Sequence, residues 1–279
     1  MRAILYGIVV VLGVALTGCG QHVAPLASSV RAEQGLVIVL TGIEGQSAFN
    51  QAIVAGLAKG GVPYGIELVD WTSHAWGPVW NLRSEQRNRR QAGLIADRIV
   101  AYQQDHPGKP VYIVGQSGGG GMAIWVAEAL PFDGGVDGVI VLEASLSSGY
   151  PLDTALGKSR QGIVSFHSER DVLFSGVGTT VVGTLDGQHE QSAGRVGFAL
   201  PQAPSRLKRY RRLYQIPWQE EMAYTGHHGL HLTGGAEAFV QDYVAPFVLA
   251  PQWNRQIADS IVRNAKPAST NVNPPVAGH

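Results

Sequence analysis

Ser117 stands between glycines in GQSGG, Gly115 to Gly119. A serine hydroxyl attacks carbonyl carbon only when a neighbouring base takes its proton and an acid orients that base. Residues suited to both tasks follow in order. SERDVL supplies Glu169 and Asp171, with Glu143 as a fallback acid, and GHHGLH supplies His227, His228 and His231. The G-x-S-x-G pattern carries little weight alone in a chain with 36 glycines. Its position carries more, because it lies between a strand-like run and a helix-like run. Glycines relieve crowding in so sharp a turn, the serine projects from it, and the helix N-terminus offers unpaired N–H groups to a developing oxyanion. No metal is expected, because the three histidines lack a nearby carboxylate arrangement. A single cysteine, Cys19, excludes a cysteine cluster and an intramolecular disulfide.

The surrounding elements must be short buried strands alternating with amphipathic helices. LVIVL (36–40), IELVDW (66–71), VYIVG (111–115), VDGVIVLEA (136–144) and GIVSFH (162–167) read as strands. Helices are expected over 47–59, 84–104, 118–130 and 236–248. The second has Ala92, Ile95, Ile99 and Tyr102 on one face, and the last has Phe239, Val240, Tyr243, Val244 and Phe247. This alternation predicts an α/β fold with a mostly parallel central sheet covered by helices on both faces.

With Ser, Asp and His in this order over about 35–250, the chain resembles the α/β-hydrolase superfamily. The resemblance implies Ser117 as nucleophile, Asp171 as acid and His231 as base. Asp171 is preferred to Glu169 because its DVL context is similar to the turn that carries the acid in that class. His231 is preferred because it lies eight residues before Phe239, the first buried aromatic of the last helix. The implied oxyanion hole uses the N–H of Gly118 and one from the LTGIEG loop, placed at Ile43 by position. Glu44 in that loop fits either a substrate contact or a solvent-facing turn. Trp71, Trp76 and Trp80 fit pocket walls or core. The Gly-rich stretch 172–214 is where a cap or lid would sit. Its basic run Arg206–Arg212 fits a solvated helix face or contact with anionic headgroups. The implied activity is cleavage of an ester or related acyl bond through an acyl-enzyme, without a cofactor. Esterase, lipase, thioesterase, amidase and acyltransferase are not separated by it. The alternative from another class is an idle envelope lipoprotein using the fold as a binding module.

The composition sets the remaining bounds. The 279 residues, 45% of them hydrophobic, suffice for one sizeable core, expected over 35–265. Twenty-one Lys+Arg balance twenty-one Asp+Glu, so no net field draws the chain to nucleic acid. Met1 and Arg2 precede an apolar run that ends in LTGC, Leu16 to Cys19. That run, about 21 Å long as a helix, is short against a hydrocarbon core of roughly 30 Å and has the layout of a signal peptide. LTGC resembles a bacterial lipobox, which implies lipidation at Cys19. The expected organisation is a signal peptide at 1–18, a lipidated tether at 19–34, the domain, and a disordered Pro-rich tail at 266–279. The implied location is the bacterial cell envelope, anchored by lipid outside the cytoplasm. The implied partners are that membrane and a small-molecule or lipid ester, with no nucleic acid.

Overall fold

The computed structural model describes residues 24–171 and 184–265. Its centre is a six-stranded, all-parallel sheet. In chain order the strands are β1 (Leu36–Leu40), β2 (Gly65–Val69), β3 (Val111–Gln116), β4 (Gly138–Leu142), β5 (Ile163–His167) and β6 (Leu213–Pro217). Across the sheet they lie in the order β2-β1-β3-β4-β5-β6. The change of direction beside β1 brings the carboxyl ends of β1 and β3 together, the place where such sheets form their sites.

The strands are mostly apolar because both faces are covered, β1 and β4 without a single polar side chain. Leu36, Ile38 and Leu40 point to one side with Ile113, Val139 and Val141, while Val37 and Val39 point to the other with Val114, Ile140 and Val164. The helices are α1 (Ala48–Lys59), α2 (Gly77–Arg83), α3 (Glu85–Asp105), α4 (Gly118–Ala129), α5 (Asp153–Lys158) and α6 (Pro204–Tyr210). After β6 come α7, a continuous helix built from Glu237–Phe239, Val240–Val244 and Ala245–Leu249, and α8 (Arg255–Asn264). Helices α3, α4 and α5 cover the first face, and α1, α7 and α8 the second. The middle segment of α7 is π-wound. Pro246, at the start of the next segment, has no N–H to give, and the widened turn before it absorbs the missing bond.

Three boundaries differ from the sequence reading. Strand β6 was not expected: it is an edge strand whose last residue is Pro217, and its Gln215 breaks the apolar run. Part of the expected tether is docked on the body. Arg31 donates from Nε to the Tyr64 carbonyl at 2.9 Å and also bonds the Val62 carbonyl, and Tyr102 Oη donates to the Ala32 carbonyl at 2.6 Å. The described part of the expected cap region, 184–214, is also packed: Leu185, Ala193, Phe198 and Tyr210 lie in the core. Residues 1–23, 172–183 and 266–279, which include Cys19, lie outside the described residues. No helix among the described residues is long and apolar enough to cross a membrane.

Candidate active site

Ser117 follows β3 with φ 56° and ψ −124°, a conformation that costs free energy for a residue with a Cβ. It is held there from both sides: its N–H donates to the Leu142 carbonyl at 2.9 Å, and its carbonyl accepts from the Ser145 N–H at 2.9 Å. The flanking glycines are required by contact. A Cβ on Gly115 would lie 2.1 Å from the Gly119 carbonyl oxygen, and one on Gly119 would lie 2.4 Å from the Leu40 carbonyl oxygen. The G-x-S-x-G spacing is what lets strand, turn and helix approach this closely.

The structure brings together the three residues expected from widely separated positions. His231 Nε2 lies 2.7 Å from Ser117 Oγ, and His231 Nδ1 lies 2.8 Å from Asp171 Oδ2. With the carboxylate accepting from Nδ1–H, Nε2 is free to accept the serine proton. All three are buried, at 8%, 3% and 1% exposure for Ser117, His231 and Asp171. Asp171 sits in the turn after β5, where its N–H donates to the Ser168 carbonyl. His231 opens a short 3-10 turn ahead of α7, and its carbonyl accepts from Gln116 Nε2 at 2.7 Å.

The other candidates take different places. Glu169 and His228 are exposed. Glu143 faces His227, with 3.6 Å between Oε1 and Nε2. Glu44 Oε1 accepts from Asn50 Nδ2 and Ser47 Oγ at 2.9 and 3.0 Å, so it serves the turn before α1. Trp71 is core, with Nε1 donating to the Thr41 carbonyl at 2.6 Å. Trp76 is 70% exposed and Trp80 37%, their ring centres 6.2 Å apart. Among the described residues no cluster of His, Cys, Asp and Glu could hold a metal ion.

Ile43 N lies 3.3 Å from where a Cβ on Gly118 would stand, so the two expected oxyanion donors are neighbours beside Ser117. The loop between them is pinned from opposite sides. Asn50 Oδ1 accepts from the Gly42 N–H at 3.2 Å, and Asn81 Nδ2 donates to the Ile43 carbonyl at 2.9 Å. Both asparagines are buried and neither was singled out from sequence. The signal was faint: an asparagine inside an apolar helix face, as at Asn50 and Asn81, needs a partner when buried. Ser145 was missed too. Its Oγ lies 3.2 Å from Ser117 Oγ, and since Ser117 donates to His231, Ser145 is the donor in this contact.

All of these groups gather at the carboxyl end of the sheet. Sheet order, the elbow after β3, the acid after β5 and the histidine ahead of α7 make up the arrangement of the α/β-hydrolase fold. No protein-family model matches the chain, and no curated protein matches it. Solved structures with similar backbones include lipase B from Aspergillus fumigatus, 10% identical, TM-score 0.48, over 87% of this chain and 58% of that one. Est1E from Butyrivibrio proteoclasticus is 13% identical, TM-score 0.43, over 77% of this chain and 87% of its own. A dienelactone hydrolase from Anabaena variabilis is 18% identical, TM-score 0.42, over 77% and 86%. The chain thus spans little more than half the length of the lipase. Likenesses at such identities concern the backbone path alone.

Proposed function

We propose that this chain is a serine hydrolase that cleaves an ester through an acyl-enzyme on Ser117, and that lipid on Cys19 anchors it in a bacterial cell envelope. The pair of hydrogen bonds made by His231 carries the catalytic reading, because it joins a nucleophile, a base and an orienting acid in one buried line. In the first step Ser117 Oγ bonds to the carbonyl carbon while His231 Nε2 takes its proton. The oxyanion that forms is held by the N–H of Gly118 at the N-terminus of α4, whose dipole favours negative charge, and by that of Ile43 from the loop after β1. Collapse breaks the ester C–O bond, and His231 returns the proton to the leaving alcohol. Water then repeats the sequence against the acyl-enzyme, releasing the acid and restoring Ser117. Asp171 holds the imidazole in place through Nδ1 and stabilises the imidazolium. The anchor rests on the LTGC sequence at Leu16 to Cys19.

A fluorophosphonate probe tests the chemistry without knowledge of the substrate, since it reacts only with an activated serine. Wild-type protein is expected to be labelled, and Ser117→Ala to be unlabelled and at least about 10³-fold slower on a short-chain ester. Labelling that persists in Ser117→Ala would place the nucleophile elsewhere.

A further inference from the structure

Among the described residues, two that are not glycine adopt positive φ: Ser117 at 56° and Glu143 at 50°. They occupy matching positions on adjacent strands, each following one of the paired residues Gln116 and Leu142. Each N–H donates across to the next strand, Ser117 to Leu142 and Glu143 to Phe166, both at 2.9 Å. The turn that aims the nucleophile is therefore repeated one strand over, and what it aims is a carboxyl group. Strain of this kind persists only where the surroundings impose it, and it is concentrated at functional sites.

The Glu143 side chain is fully enclosed, and neither of its oxygens has a hydrogen-bond partner. An ionised carboxylate in that position would recover little of its desolvation cost, since no cation and no well-formed hydrogen bond meets it. The titratable groups facing it are Asp171 from the turn after β5 and His227 from the loop ahead of α7. Gln116 from β3 and the Gly234 N–H offer only neutral dipoles. Burial first, and then the Asp171 charge, push the Glu143 carboxyl well above the ordinary range.

The tautomer of His227 follows from its neighbours. Thr233 Oγ1 donates to the Leu230 carbonyl at 2.7 Å and accepts from the His228 N–H at 3.1 Å. The same oxygen is 3.1 Å from His227 Nδ1, so with its own proton already used, it accepts from Nδ1–H. That leaves Nε2 bare and turned toward Glu143 Oε1. Two lone pairs would oppose one another across this gap unless the carboxyl carries a proton.

We propose that Glu143 is a positioning residue held as a neutral acid, its O–H directed at His227 Nε2, and that this contact fixes the loop carrying His231. The loop is gripped on either side of His231. His227 lies four residues before it, and Gly234 packs so closely behind it that a Cβ there would lie 2.2 Å from Glu143 Oε2. Gln116 holds the His231 carbonyl from the same side.

The positioning half of this proposal rests on the hydrolase reading, whereas the protonation half does not. Two variants separate a donor from a filler: Glu143→Gln keeps a donor at that place, and Glu143→Leu keeps only the volume. With thermal melts confirming folded protein, Glu143→Gln is expected to react with fluorophosphonate within about threefold of wild type, and Glu143→Leu at least about tenfold more slowly. An infrared difference spectrum of wild type minus Glu143→Gln at pH 7 is expected to contain the carbonyl stretch of a protonated carboxyl group. A carboxylate band in its place, a Glu143→Gln variant as slow as Glu143→Leu, or a Glu143→Leu variant as fast as wild type would each overturn the proposal. If Glu143→Leu does not fold, the spectrum and Glu143→Gln still decide. Wild-type protein inert to the probe would count against the hydrolase reading instead, and the spectrum would still report on Glu143.

Discussion

His231 is the one histidine of its loop whose two ring nitrogens are both engaged by catalytic partners, and the other two differ from it in opposite ways. His228 is exposed, so His228→Gln is expected to retain near wild-type turnover, whereas His231→Gln should lose at least about 10³-fold in kcat. Esterase kinetics on the two variants, with folding checked by thermal melt, tests this directly. His227 is buried against Phe239, with ring centres 4.4 Å apart, and burial lowers its pKa to about 3 from an ordinary 6.5. The unfolded chain therefore takes up a proton below about pH 6.5 that the folded chain refuses. Stability tied to this ring is complete above that pH and is lost as pH falls toward 3. The loss should reach about 2 kcal/mol between pH 6.5 and 5. Urea denaturation is expected to show the stability gap between wild type and His227→Gln shrinking by about that amount over this range. A constant gap would show that the ring is not held neutral. Sequence picked out Ser117, Asp171 and His231, which the structure brings together, because their order and spacing are set by the strands they follow. It did not reach Ser145, Gln116 or the pairing of Glu143 with His227, since their roles depend on contacts between distant segments that leave no spacing behind.

At the scale of elements, the loop after β1 is where positioning is most exposed to change. Its two anchors come from different helices, Asn50 from α1 and Asn81 from α2, and between them they set where the Ile43 N–H points. Asn81 is itself fixed, its carbonyl accepting from Asn88 Nδ2 at 2.5 Å. Asn81→Ala is expected to lower kcat about 10- to 100-fold with little change in KM, because a donor to the oxyanion acts in the transition state more than in substrate binding. A rise in KM with unchanged kcat would assign the loop to substrate binding instead. Most elements were legible because double-sided burial makes strands predominantly apolar and one-sided burial makes helices periodic. Strand β6 was hidden for the opposite reason, since an edge strand tolerates Gln215 and Pro217. Helix α8 does carry a legible stripe, Ile257, Ala258, Ile261 and Val262 at helical spacing behind the capping Asn254, although the sequence reading did not include it.

Over the whole molecule, the basic run that fitted contact with anionic headgroups is exposed but partly engaged within the fold. Arg206 pairs with Asp153, and Arg212 donates to the carbonyls of Leu156, Ser159 and Arg160, so these side chains tie α6 and the start of β6 to α5. Attachment to a membrane would then depend on Cys19. Cys19→Ser is expected to move the protein from the membrane fraction to the soluble one, as read by fractionation and immunoblot. Retention in the membrane fraction would end the lipid proposal.

The docked turn Ser29–Ala32 would give such an anchor, if lipid is attached at Cys19, a preferred direction. It packs against Gly65, at the amino end of β2, and Ser117 stands at the carboxyl end of the same parallel sheet. Five residues of strand separate the two ends, on the order of 17 Å. A chain tethered at Cys19 would enter its body from the side away from its chemistry, with its catalytic mouth turned toward the aqueous compartment. Esters dissolved in that compartment would then meet the enzyme more readily than lipids of the bilayer to which it is tied.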